Sequence, residues 1–264
     1  MKILASDFDN TLYFHTGFKP ADLQAIKAFQ AAGHKFGVCT GRSYNGIVAP
    51  STNVDIHYDF YICLSGGLIL NEDGKVLFEK QFPYAIVKEI YDRYPVNVSV
   101  VYGNAMYLLN DKNNHFKQSI KALYKKMKNQ PKENVRFIDQ LDDLKAKQIP
   151  SFSFHYRRGE HDQAVKLATY INKTYSDYVN AYVNDIHIDV CAKGCSKGHA
   201  LKQIGDYYHI NKEDLCGIGD NFNDLPLLEA AYDSFTFDYA PIAVQKQAKH
   251  IVPQLSTAID ELLF

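Results

Sequence analysis

The sequence predicts an α/β protein in which a parallel sheet, covered by helices on both faces, is interrupted by an inserted α+β segment. Three observations carry this reading. Apolar runs at 2–7, 34–40 and 58–64 are short and continuous, and a helical pattern lies between the first two, as expected for buried parallel strands. Between about 82 and 187 the pattern changes to half-exposed strands and amphipathic helices. From about 196 the first pattern returns. The expected boundaries are residues 1–81 plus 188–264 for the sheet domain and 82–187 for the insertion.

The first run ends in acid at Asp7. Pro20 and Asp22 then open a helix with Leu23, Ile26 and Phe29 on one face, and Gly33 stops it. The runs at 34–40 and 58–64 give the second and third strands, the third ending at Ser65-Gly66-Gly67. A hairpin is expected around Asn71-Glu72-Asp73-Gly74, because Asp-Gly between apolar runs favours a tight turn. Inside the insertion, 85–94 and 160–175 read as helices and 115–128 as a basic amphipathic helix. Strands are expected at 96–101, 106–109 and 151–156, with two more across 179–190. After 196 come a helix over 197–208, a buried strand at 215–220, a helix over 225–231, a short strand at 234–237 and a closing helix.

Composition excludes several classes. A chain of 264 residues, 46% hydrophobic and 22% charged, buries a sizeable core and is neither disordered nor fibrous. A formal charge of -1 provides no basic field for nucleic acid or an anionic membrane, so neither is expected as a partner. No apolar run approaches the roughly 20 residues that span a bilayer, and the start turns acidic too soon for a signal peptide. The five cysteines, Cys39, Cys63, Cys191, Cys195 and Cys216, are odd in number and suit reduced thiols in a cytoplasm. Cys191 and Cys195 lack a second close pair, so no zinc site is expected. The basic stripe Lys117, Lys121, Lys125, Lys126 and Lys128 has no aromatic stacking platform and reads as a solvated face. Gly217-x-Gly219 lacks the third glycine of a dinucleotide fingerprint.

The chemistry gathers where strands end. Asp7 and Asp9 are two apart, so on an extended backbone they point the same way, above the carboxyl edge where open α/β sheets bind ligands. Two carboxylates so close repel each other, and a divalent cation relieves the repulsion; two solvated acids are the plain alternative. A second acidic group, Gly219-Asp220-Asn221-Phe222-Asn223-Asp224, follows another buried strand. Asp220 can complete a hard-oxygen site suited to magnesium, while Asp224 or Asn223 can cap the following helix. Thr40-Gly41-Arg42 ends the second strand with a hydroxyl and backbone amides able to hold a phosphate, though Thr-Gly is also ordinary turn material. Lys197 opens a helix, where the dipole disfavours it, so an anionic partner is expected for it; a solvated lysine is the alternative.

Taken in order, Asp7-Phe8-Asp9-Asn10-Thr11-Leu12, Thr40-Gly41-Arg42, Lys193-Gly194-Cys195-Ser196-Lys197-Gly198 and Gly219-Asp220-Asn221-Phe222-Asn223-Asp224 resemble the four motifs of the haloacid dehalogenase superfamily of phosphohydrolases. The likeness is greatest to the Cof-type branch, with its large α+β cap between the second and third motifs, and it covers nearly the whole chain. It implies a Rossmann-like parallel-sheet core and a magnesium-dependent phosphatase of small phosphorylated metabolites such as sugar phosphates, flavin mononucleotide or pyridoxal phosphate. Asp7 is then the nucleophile and Asp9 the acid–base. Asp7, the Asp9 carbonyl and Asp220 become the magnesium ligands. Thr40, Gly41, Arg42, Lys197 and Asn223 hold substrate, and Asp224 buttresses the loop. The cap then selects the leaving group, with Tyr102, Tyr107, Asn184 and His187 as candidates and His187 more simply read as part of a polar strand face.

The chain departs from the pattern at three places. Asn10 stands where glycine is commoner, Ser65-Gly66-Gly67 where a Ser-Asn-Gly-like turn is usual, and Phe237-Asp238-Tyr239-Ala240 where a Gly-Asn-Ala turn is usual. Competing readings are a phosphomutase or dehalogenase of the same superfamily, a binding protein that has lost catalysis, and a phospho-accepting receiver. A receiver is about half this length and has no second carboxylate two residues after the acceptor. The oligomeric state is not readable from the sequence.

Overall fold

The computed structural model describes residues 1–109 and 134–263, which fall into two compact units. One comprises Met1–Gly41, Asp55–Glu79 and Cys195–Phe264; the other comprises Arg42–Val54 and Lys80–Gly194. The expected basic helix over 115–128, with its lysine stripe, lies outside the described residues.

The first unit is built on an eight-stranded sheet in the order His250–Val252, Asp233–Phe237, Leu215–Ile218, Ile3–Ser6, Lys35–Cys39, Phe60–Cys63, Leu68–Asn71, Val76–Glu79. The first six strands are parallel, and the last two join as an antiparallel hairpin. The hairpin turn forms where Asp-Gly predicted it: Gly74 adopts φ 75° and donates its N–H to the Asn71 carbonyl.

Ile3–Ser6 lies near the middle of the sheet and is buried along its length. Alternation sends Ile3 and Ala5 into a cluster with Ala200, Leu201 and Ile204 of the helix Lys197–Tyr207. The helices Pro20–Ala31 and Leu255–Leu263 pack on each other. Asp22, fully buried, accepts the Ser256 N–H at 2.9 Å and so caps the second helix from the first.

From Ile3–Ser6 the chain runs first to Lys35–Cys39 on one side, and later returns to Leu215–Ile218 on the other. This is a topological switch point, and it opens a crevice at the carboxyl ends of the central strands. Asp7, Thr40 and Gly219 each follow the last residue of one of these three strands.

The second unit carries a six-stranded, mostly antiparallel sheet in the order Val135–Ile138, Ala105–Leu109, Asn97–Tyr102, Ser151–His155, His187–Ala192, Val179–Asn184. Val98, Val100, Phe152, Phe154, Ile188 and Val190 are buried on one face, and the helix His161–Thr174 packs against the edge strand Val179–Asn184. The alternate positions form a polar ladder. Ser99 Oγ and His155 Nε2 are 2.7 Å apart, His155 and His187 share a hydrogen bond at 2.9 Å, and Ser153 donates to Asp189 at 2.7 Å.

Candidate active site

Lys197 is the hub of the site. It is the first residue of its helix, whose N-cap is Ser196, the Ser196 Oγ accepting the His199 N–H at 3.0 Å. Its side chain is buried, at 2% exposure, and its Nζ donates to Asp7 Oδ1 at 2.5 Å and to Asp224 Oδ1. The anionic partners that its position at a helix start called for are thus two carboxylates. Burial alone would lower its pKa, but Asp224 and Asp7 outweigh that and hold the ammonium well above its ordinary value.

Asp7 is held by the central strand, its N–H bonded to the Ile218 carbonyl at 2.9 Å and its own carbonyl accepting from Ser6 Oγ. Burial, then the charge of Asp224, pushes the Asp7 carboxyl well up, and Lys197 offsets only part of this. Asp220 is raised to about 6, by burial first and the Asp224 charge second, with the Thr11 hydroxyl, 3.0 Å away, acting against them.

Asp224 does something that capping did not foretell. Its carboxylate is no side-chain cap for the helix Leu225–Ala230. Instead Oδ1 takes Lys197, and Oδ2 accepts the N–H groups of Asp220 at 2.9 Å and Asn221 at 3.0 Å. Asn221 and Asp224 together form the capping box of the short turn Phe222–Asp224. Asp224 thereby fixes both the ammonium and the loop that presents Asp220. Gly219 is required here, because a Cβ on it would run into the Asp224 side chain.

Carboxylate oxygens of Asp7, Asp220 and Asp224 all lie within 4.8 Å of one another. Two buried carboxyl groups on one ammonium, with the partly buried Asp220 beside them, leave net negative charge, and the raised Asp7 and Asp220 show its cost. A hard divalent cation fits such a donor set. Since both Asp224 oxygens are already engaged, Asp7 and Asp220 are the side chains that could hold it.

The remaining positions are distributed as follows. Thr40 is buried at the end of its strand, its N–H bonded to the Ile62 carbonyl and its carbonyl accepting the Ser65 N–H. Asp9 is half-buried on the loop after Asp7. Asn223 is buried, and its Oδ1 has no hydrogen-bond partner among the described residues. Gly41 closes the first stretch of the larger unit, whereas Arg42 belongs to the other unit and donates to the Gly46 carbonyl at 2.8 Å. In the smaller unit, Tyr102 and His187 are exposed, and Arg136 lies over the Tyr107 ring. All five cysteines are buried free thiols.

Sequence reasoning gave no role to Thr11, Ser65 or Tyr239. Ser65 is buried with φ 54° beside Leu64 at φ 53° and Gly66 at φ 92°, three successive left-handed residues after the strand Phe60–Cys63. A Cβ at Gly66 would meet the Ser196 backbone, so this turn lies directly against the start of the Lys197 helix. The only signal in the sequence was the serine–glycine turn itself.

A model of the haloacid dehalogenase-like hydrolase family matches residues 4–257. A bifunctional protein of Streptococcus pyogenes, named for phosphatase and peptidyl-prolyl cis-trans isomerase activities, is 25% identical over 263 residues, or 95% of this chain. The match covers 48% of that relative, so the chain spans about half its length. The 5-amino-6-(5-phospho-D-ribitylamino)uracil phosphatase of Escherichia coli is 22% identical over 261 residues, covering 95% of this chain and 90% of the relative. The solved structure of a sugar phosphatase of HAD subclass IIB has the same fold, with a TM-score of 0.81 over 99% of each chain at 17% identity. Among the described residues no helix is long and apolar enough to cross a membrane.

Proposed function

This chain is a hydrolase of the haloacid dehalogenase-like family, and from that premise we propose that it is a Cof-type, magnesium-dependent phosphatase working through an aspartyl phosphate on Asp7. The observation that supports this best is the buried cluster itself: Lys197 between Asp7 and Asp224, with Asp220 beside them at the carboxyl edge of a parallel sheet.

Asp7 attacks phosphorus, and the bond to the leaving oxygen breaks as the new P–O bond forms. Lys197 orients Asp7 and balances charge on the transferring group, and Thr40 with the backbone amide of Gly41 adds neutral donors. Asp9 donates its proton to the departing alkoxide, then takes one from the water that releases phosphate from Asp7. Asn223, with its buried unbonded oxygen, orients substrate. The Asp7 and Asp220 carboxylates and the Asp9 carbonyl would hold magnesium, which would supply positive charge to the phosphoryl oxygens.

Small phosphate monoesters are the proposed substrates, sugar phosphates and cofactor phosphates foremost. The named activities of the Escherichia coli relative and the subclass IIB structure point to the same chemistry. Selection of the leaving group is assigned to the insertion read from the sequence at 82–187. The test is phosphate release from p-nitrophenyl phosphate with magnesium and with EDTA, followed by a panel of sugar phosphates, flavin mononucleotide and pyridoxal phosphate. Sustained, metal-dependent release supports the phosphatase. Isomerisation of a sugar phosphate without net release, dependent on a bisphosphate, would replace it with a mutase.

A further inference from the structure

Two positions that depart from the family pattern, Asn10 and Tyr239, meet each other. Tyr239 lies 229 positions downstream, and its hydroxyl donates to the Asn10 carbonyl at 2.6 Å. Asn10 has φ 59°, a left-handed conformation that asparagine tolerates better than most residues but not without cost. The turn is closed from within. The Asn10 N–H bonds to the Tyr13 carbonyl at 2.9 Å, and the Phe8 carbonyl accepts the N–H groups of Leu12 and Tyr13. The carbonyl of Asn10 is left outside this set, and it belongs to the peptide bond that leads into Thr11.

Tyr239 is itself held in place. Its ring stacks on Phe237 with centroids 4.8 Å apart and planes 10° from parallel. The turn beneath it is closed by the Ala240 N–H on the Phe237 carbonyl, and the Gln245 amide donates to the carbonyls of Asp238 and Ala240. A phenol keeps its proton up to about pH 10, so the Tyr239 hydroxyl stays a donor at working pH.

The held peptide stands between two functional side chains. Asp9 precedes Asn10, and Thr11 follows it and donates to Asp220. Rotation of that peptide changes Asn10 ψ and Thr11 φ, and because the turn is closed by hydrogen bonds on both sides of Asn10 the adjustment passes back to Asp9. We propose that Tyr239 is a positioning residue for Asp9: its hydroxyl fixes the peptide after Asn10 and so presents the Asp9 carboxyl to the leaving oxygen. This rests on the reading of Asp9 as general acid.

An unactivated alkyl leaving group needs that proton, whereas p-nitrophenolate hardly does. The experiment therefore compares kcat/KM for the best alkyl phosphate of the panel with kcat/KM for p-nitrophenyl phosphate, in wild type, Tyr239→Phe and Asp9→Asn. The alkyl-to-aryl ratio is independent of how much protein is folded. Removal of one hydrogen bond should lower it roughly 3- to 10-fold in Tyr239→Phe, and loss of the acid should lower it about 100-fold in Asp9→Asn. A fall in Asp9→Asn with an unchanged ratio in Tyr239→Phe overturns the positioning role alone. An unchanged ratio in Asp9→Asn removes the acid role itself, and the positioning proposal with it.

Discussion

Lys197 and Asp7 are 190 positions apart in the chain, and the Lys197 Nζ stands 2.5 Å from Asp7 Oδ1 with both side chains buried. The same ammonium meets Asp224. One buried cation thus ties the central strand, the helix Lys197–Tyr207 and the loop after Leu215–Ile218 into one unit.

Replacing that cation leaves two buried carboxylates facing each other. Lys197→Met should therefore cost on the order of 3–5 kcal/mol of stability at neutral pH, as breaking a buried pair does. Urea denaturation of wild type and variant with EDTA present measures this. A loss below about 1 kcal/mol would mean that the ammonium holds transferring phosphate without holding the fold.

Asp220 should act against stability when no metal is bound. Its carboxyl is raised from 3.8 to about 6, so the folded state holds that proton more tightly than the unfolded state. Its contribution is then greatest below pH 4 and is lost as pH rises through about 6. Partial exposure reduces the effect to on the order of 2 kcal/mol. Asp220→Asn should melt higher than wild type at pH 7.5 in EDTA, and the gap should close towards pH 4. Thermal melts across that range test the sign, and a variant that melts lower at pH 7.5 contradicts it.

Metal affinity should follow the same ionisation. A ligand must lose its proton to bind, so magnesium affinity measured calorimetrically without substrate should be steady above pH 7. It should weaken about tenfold per pH unit below about 6. Asp220→Asn should weaken binding at every pH. Equal binding by variant and wild type would remove Asp220 from the ligand set.

Gly198 lies where the helix Lys197–Tyr207 crosses Leu225–Ala230, and a methyl there would run into the Pro226 carbonyl oxygen and the Ala230 side chain. Gly198→Ala should cost about 1–3 kcal/mol by overpacking, and it should lower activity because Lys197 is the adjacent residue. Denaturation and kcat on the same preparation check both effects.

Much of this was legible in the sequence because it is local. Buried strands announce themselves as short apolar runs, and the chemistry sits on the residues that follow them, so Asp7, Thr40 and Asp220 could be placed at strand ends from one-dimensional pattern alone. Asp73-Gly74 likewise specified its hairpin. Elements with weak local signals were not foreseen. The helix Tyr44–Ser51 contains Pro50, and the strands Val135–Ile138 and His250–Val252 are short and partly exposed. What escaped at the site depends on contacts distant in sequence. Asp224 reads as a helix cap or a buttress of its loop, but its partners, an ammonium 27 positions away and two amides behind it, become visible only when the loop is folded. Tyr239 read as an altered loop for the same reason.

The most direct test of the account is turnover of p-nitrophenyl phosphate by Asp7→Asn at saturating magnesium, measured beside wild type. Loss of the nucleophile should reduce kcat by at least about 10⁴-fold, with the variant still folded by its melting curve. Folded Asp7→Asn protein that releases phosphate within about tenfold of wild type would contradict covalent catalysis at Asp7 and leave the cluster as a site for water attack alone.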